Sequence, residues 1–383
     1  MRPAPLPLAT LLALALPWSA AAGQGVPPVV ALSRPDVRFA IDFSAVSGVR
    51  ELPSGQVLVS DGIEETVLRI DPRTGRADTL GRAGQGPGEY KAPDALHSLP
   101  AGGTLLVDLG NGRLDILGAD GRYRESVSIA QGGDGSPKFV IPRSVDGAGR
   151  IYFTERSRDP SVDSATVVRW DRGRGTFENV ARVGLGNTLT RSSGTPNNQA
   201  IAQRPQPFPA GDAWSVAPDG TVFVARAADY HVEWLRPTGV VRGRPVRFTP
   251  VRIGAAERQE WADEMSTALR INVENRNGEL RTSFSRSGGQ DRNEELEGTE
   301  WPAAKPAFPA GGAWVTPEGD AWVERSVAAG APRLIDVFGP DGALRRQVRL
   351  PAGRRIVAFG AGTVYVRHAD AETGLVALER YRR

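Results

Sequence analysis

The sequence contains no cysteine, which excludes a disulfide framework and the lipid-modified cysteine of a bacterial lipoprotein anchor. Charge of one sign is also missing: 47 Lys and Arg face 44 Asp and Glu, for a net charge of +3. So small an excess argues against a nucleic-acid partner, and the run Arg380, Tyr381, Arg382, Arg383 fits a solvated terminus. Histidine is scarce, with His97, His231 and His368 only. Past residue 22 no apolar run is long enough to span a membrane. No Gly-x-Ser-x-Gly nucleophile elbow is present.

The one long apolar run, residues 6–18, follows Arg2 and precedes Ser19, Ala20, Ala21 and Ala22. A charged start, a short apolar core and small residues form a cleavable export signal over 1–22. The mature chain, 23–383, is therefore expected to be soluble in a periplasm or outside the cell, without a lipid anchor.

Glycine and proline are plentiful, at 45 and 30 residues, which suits short strands and tight turns. Six dipeptide turns each separate two short strands: Ser54-Gly55, Gly102-Gly103, Ala148-Gly149, Asp219-Gly220, Glu318-Gly319 and Ala361-Gly362. A β-branched or aromatic strand follows each turn, then a third strand, and in five copies a second glycine turn and a fourth strand. The sixth copy runs out of chain. The alternating stretch 37–43 precedes the first copy and is expected to supply the missing outer strand. This grammar predicts an all-β, six-bladed β-propeller of four-stranded blades, with a repeat of about 40–50 residues.

A direct repeat supports the reading. Phe208-Pro209-Ala210-Gly211-Asp212-Ala213-Trp214 recurs as Phe308-Pro309-Ala310-Gly311-Gly312-Ala313-Trp314, each leading into a first strand. Two insertions interrupt the spacing. Residues 184–207 are polar and read as a long loop. Residues 254–305 begin with a helical pattern that puts Trp261, Met265 and Leu269 on one face, expected to rest on the propeller rim. Residues 272–299 read as polar and mobile.

The stretch 80–121 resembles the NHL repeat family of six-bladed propellers. It carries Gly81, Gly84, Gly86, Gly88, Glu89-Tyr90 and Pro93, then Asp108 and Asn111-Gly112-Arg113-Leu114-Asp115-Ile116. The Phe-Pro-Ala-Gly lead-ins are similar to those of exported bacterial propellers of unassigned function. These resemblances imply a fold and leave the function open. The glycine run 81–88 lacks the Lys-Ser/Thr and helix of a phosphate loop, so no nucleotide is expected there.

In a four-stranded meander the tight turns fall on one face and the crossovers, insertions and second-to-third-strand loops on the other. Binding is expected on that long-loop face. Arg50, His97, Arg143, Trp214, Trp314 and Arg355, at the innermost strands, are the candidate ligand-binding residues. Guanidiniums beside indoles suit an anionic or sugar-like ligand. Equally, the tryptophans would fill wedges between blades while the arginines pair with Glu51, Asp61 or Asp108. The expected function is a binding or scaffold module for a protein, peptide or saccharide, with no cofactor. The alternative is a metal-dependent hydrolase or lyase. Propeller lyases of hydroxyglycine peptides hold zinc through histidine alone, which makes His97, His231 and His368 the zinc candidates. Propellers of the gluconolactonase type hold a divalent ion such as calcium through Glu, Asn and Asp. Glu51, Asp61, Asp108 and Asn111 are the counterparts here.

Overall fold

In each blade a short turn lets the chain reverse at once. In blade one the Leu52 amide donates to the Gln56 carbonyl at 2.8 Å, and Gly55 takes a φ of +81°, a left-handed conformation cheap only for glycine. The computed structural model describes residues 27–383 apart from 133–137, 158, 160–161, 187, 196–197, 267–268, 277–278, 287–298 and 371. The export signal 1–22 lies outside the described residues.

Six four-stranded sheets are arranged as the blades of a propeller. The inner strands are Gly48–Glu51, Pro93–Ser98, Ser144–Val145, Ala213–Val216, Ala313–Val315 and Arg354–Gly360. The second strands are Val57–Asp61, Thr104–Asp108, Ile151–Arg156, Val222–Arg226, Ala321–Glu324 and Thr363–Ala369. Third strands follow at Thr66–Ile70, Arg113–Leu117, Ser164–Asp171, His231–Arg236, Leu334–Phe338 and Val376–Arg382. The outer strands of blades one to five are Ala77–Leu80, Tyr123–Ser128, Thr176–Gly184, Gly239–Arg242 and Leu344–Arg349. In blade six the outer place is taken by Val37–Phe43, antiparallel to Val376–Arg382, with Val37 opposite Arg380 and Phe43 opposite Val376. An unexpected fifth strand, Val29–Ala31, lies parallel to Leu344–Arg349 on the rim of blade five.

The core is divided among the seams between blades. Six clusters of buried side chains each join two neighbouring blades. Leu58 meets Leu106 between blades one and two, Val107 meets Phe153 between two and three, and Tyr152 meets Val224 between three and four. Phe223 and Phe308 share the next seam, and Trp322 and Val364 the one after. Phe39 and Phe43 join Val57 and Tyr365 between blades six and one. Alternation along each strand feeds both flanking seams, so the hydrophobic ring is continuous.

The insertions are more ordered than their polarity implies. Residues 184–207 are not a loop: they contain the strands Thr188–Thr195 and Asn198–Pro205. Leu269–Arg276 and Glu279–Arg286 likewise replace part of the expected mobile stretch. The two hairpins join as one antiparallel sheet, with Asn198 opposite Arg276 and Ala202 opposite Asn272. The helix spans Ala255–Ser266, which leaves Leu269 in a strand rather than on the helical face. Glu257 caps the helix by accepting the Gly254 amide at 3.0 Å, and it also accepts the Ala329 amide at 3.1 Å. Trp261 is buried, edge-on to Trp301 at 5.3 Å. The helix therefore rests on the loop face through Trp261.

Among the described residues no helix is long and apolar enough to cross a membrane.

Candidate functional site

On the loop face a cavity of about 570 Å³ opens between the insertion helix and blades four to six. Its walls are the lead-ins to the inner strands, including Phe208, Pro209, Pro309 and Gly311, the loop after Ala321–Glu324, and the helix residues Glu260, Trp261 and Glu264. The proline-rich lead-ins hold extended backbone against the mouth. A larger groove, about 750 Å³, lies between blades two and three on the tight-turn side. Its basic residues are already matched, Arg124 with Asp120 and Arg150 with Asp146, so it offers little free chemistry.

The cavity's polar side chains form one network. Arg333 donates from one terminal nitrogen to Glu324 at 3.1 Å and from the other to Glu260 at 3.0 Å. Lys305 stands 3.2 Å from Glu260, donates to the Val327 carbonyl at 2.9 Å and lies over the Phe208 ring at 5.1 Å. Arg355 pairs with Glu264. Glu324 is buried, and burial pushes its carboxyl above the usual range against the pull of Arg333 and Arg355. Lysine and arginine outnumber carboxylates in the lining: Lys305, Arg325, Arg333, Arg355 and Arg367 against Glu260, Glu264 and Glu324. The lining therefore holds more cationic than carboxylate side chains, most of them in ion pairs, beside aromatic walls.

Two expected site residues line it, Trp314 and Arg355. Trp314 is half-buried and tilted against Phe359 at 6.3 Å. Trp214 is buried in the seam between blades three and four, the wedge-filling role. Arg143 lies in the central channel: it donates to the Trp214 carbonyl at 3.3 Å and to the Gly311 carbonyl at 2.9 Å. Arg50 and His97 are not at the loop-face mouth. Each stands near the far end of its inner strand, because that strand runs from the loop face toward the tight turns. Arg50 donates to Thr104, Ser98 and the Gly102 carbonyl rather than pairing with Glu51, Asp61 or Asp108. Burial brings it down to about 10.

The metal candidates are scattered. His97 bonds the Pro142 carbonyl, and burial pushes it down to about 4. His231 is buried between Asp229 and Glu233, and His368 faces the Gly353 carbonyl at 3.3 Å. Glu51 accepts from Thr363 at 2.8 Å at the end of blade one opposite Asp61 and Asp108. Asp61 accepts the Ser44 and Ala45 amides at 2.8 and 3.1 Å, and Asp108 the Lys91 amide at 3.1 Å. Both aspartates anchor the chain entering a blade. Asn111 bridges Asp108 at 2.6 Å and the Gly84 carbonyl at 2.9 Å. Among the described residues no group of three His, Asp or Glu side chains could hold a metal ion.

No protein family matches the chain, and no curated protein sequence does. Solved structures similar to it are propellers. One is an exported-type protein of Bacteroides fragilis, 11% identical, with a TM-score of 0.43 over 93% of this chain and 99% of that one. A calcium-binding regucalcin from Agrobacterium tumefaciens is 11% identical, with a TM-score of 0.42 over 93% and 97%. Virginiamycin B lyase from Staphylococcus aureus is 10% identical, with a TM-score of 0.38 over 88% and 95%. At such identities the likeness concerns architecture alone.

Glu260, Glu264, Lys305, Glu324 and Arg333 were not among the residues expected from sequence. Glu260 and Glu264 stand four apart on one helix, so their shared face was readable. Their partners come from distant blades, and nothing local marks them.

Proposed function

We propose that the protein is an exported binding module whose loop-face cavity takes a small anionic ligand with a ring or peptide-like body. The observation that carries this reading is the cavity itself, where cationic side chains outnumber carboxylates beside Phe208, Trp261 and Trp314. Arginine forks suit carboxylates, and aromatic faces suit the apolar side of a sugar ring or a peptide. A cavity of this size fits a ligand of a few sugar or amino-acid units. The binding step uses no metal and no cofactor.

The test is calorimetric titration of the mature chain with oligogalacturonates and acidic tripeptides, beside their neutral counterparts, at two salt concentrations. An acidic probe is expected to bind at least tenfold more tightly than its neutral counterpart, and the preference to shrink in salt. Arg355→Ala and Trp261→Ala are each expected to weaken it about tenfold without lowering the melting temperature by more than a few degrees. Equal affinity for acidic and neutral probes, or none for either, overturns the reading. So does stoichiometric zinc or calcium in the purified protein, which would favour the metal-dependent hydrolase or lyase.

A further inference from the structure

The central channel contains basic groups that the cavity does not use. Arg143 enters it just before Ser144–Val145, held by its own amide bonded to the Tyr152 carbonyl at 2.9 Å. Its guanidinium reaches past blade four to the Gly311 carbonyl of blade five, and its carbon lies 5.8 Å from the Trp214 ring. The contacts with three successive blades fix the group across the channel, while its surface stays exposed there. Among the described residues no carboxylate pairs with it, and its partners are the two carbonyls and the Trp214 ring.

The neighbouring side chain of blade two adds no negative charge. His97, in blade two, lies close enough to Arg143 for its charge to help hold the imidazole neutral, after burial. The His97 Nε2 has no hydrogen-bond partner. Other enclosed arginines of this chain are matched: Arg325 with Asp336 at 3.1 Å, Arg226 with Asp212 at 2.9 Å, and Arg333 with Glu324. The inner strands of blades one to three are the exception.

We propose that the channel binds an oxyanion on Arg143. The Nε N–H and one N–H of Nη2 are committed to the two carbonyls, which leaves the end-on edge, with an N–H from each terminal nitrogen, without a protein acceptor among the described residues. That edge matches two oxygens of a carboxylate, sulfate or phosphate. A guanidinium keeps its charge at every working pH, so an uncompensated one between low-dielectric walls concentrates anions. Chloride offers no second oxygen to the fork and is the weaker ligand. This site adjoins the cavity at Gly311 but needs neither the helix nor an aromatic-sized ligand.

The experiment compares sodium sulfate, phosphate and acetate with sodium chloride at matched ionic strength, using the mature chain. Melting temperature and calorimetry are read together. The expected result is a stabilisation by the oxyanions of several degrees over chloride, with one site per chain. Arg143→Gln abolishes the difference, and Arg143→Lys, which keeps the charge and loses the fork, lowers affinity severalfold. Arg355→Ala, in the cavity wall, retains it. If Arg143→Gln does not fold, the Lys variant carries the test. The proposal is overturned if wild type shows no oxyanion preference or if the Arg143 variants keep the full effect. It is also overturned if Arg355→Ala loses the effect, which would move the anion to the cavity. Because the probes are simple anions, failure of the cavity to bind sugars or peptides leaves this result intact.

Discussion

The Tyr365 hydroxyl donates to the Glu51 carboxylate at 2.5 Å, bonding the second strand of the last blade to the inner strand of the first. Burial and then Glu51 push the phenol's pKa up, so it remains a donor at any ordinary pH. Tyr365→Phe removes this bond while keeping the ring in its seam with Phe39, at 6.3 Å. A loss of about 1–2 kcal/mol is expected, read as a lower urea midpoint with an unchanged slope.

The outer strand of blade six tests the same seam from the other side. Deleting residues 23–43 removes Val37–Phe43 and with it the buried Phe39 and Phe43. The melting temperature is expected to fall by about 10 °C or more, since two phenylalanines worth about 3–5 kcal/mol each are lost. Deleting only 23–31 removes the exposed Val29–Ala31 and keeps the buried Leu32, and should lower it by no more than a few degrees. Equal melting of the two truncations would contradict the structure.

The architecture was legible because its signals are local and repeated. Gly55, Gly149, Gly220 and Gly319 each take a positive φ at the same turn of blades one, three, four and five, and a β-branched or aromatic strand follows each. The NHL-like stretch also has a physical meaning. Arg113 donates to the Gln85 and Gly86 carbonyls at 2.8 and 3.0 Å, and Asn111 to Gly84, so these side chains tie down the glycine-rich crossover. Gly81 is needed there, since a Cβ on it would lie 2.2 Å from the Gly88 carbonyl. The joining of the two insertion hairpins was not legible, because each finds its partner in a stretch far away in the sequence. Nor was the depth of Arg50 and His97, since pattern gives the strand and not the position along it. The charge network of Arg333 depends on residues from a helix and a separate blade, a relationship only folding creates.

Two buried groups oppose each other in acid. Burial pushes the Asp108 carboxyl up to about 6 and the His97 imidazole down to about 4, whereas unfolded Asp and His titrate at about 3.9 and 6.5. Folded Asp108 keeps a proton that the unfolded chain has lost, so its contribution is full below about 4 and disappears as pH rises through about 6. Folded His97 refuses a proton that the unfolded chain accepts, so its contribution is full above about 6.5 and is lost as pH falls through about 4. Each amounts to on the order of 2–3 kcal/mol, and in the wild type they largely cancel. Asp108→Asn is expected to make the chain more acid-labile between pH 7 and 4, and His97→Gln more stable toward acid. Urea midpoints at pH 4.5 and 7 measure both.

Arg333 holds the helix to the propeller through Glu260 while covering buried Glu324. Arg333→Met leaves Glu324 enclosed without its donor and is expected to cost about 2–4 kcal/mol. Hydrogen exchange should quicken most in Ala255–Ser266. Arg333→Met with Glu324→Gln should recover part of the loss, because the remaining buried group is then uncharged.

The strands Val29–Ala31 and Val37–Phe43 are made first and used last. Their partners, Leu344–Arg349 and Val376–Arg382, are separated from them by almost the whole chain. Blades one to five can each zip up from neighbouring hairpins as the chain emerges, but blade six must wait for the opening segment to return, and the rim of blade five stays uncovered until then. Folding is thus divided into a fast local phase and a slow final one governed by long-range loop closure. Until that last step the rims of the final two blades offer open edges to other chains, so the interval before closure is when the protein is most exposed to aggregation.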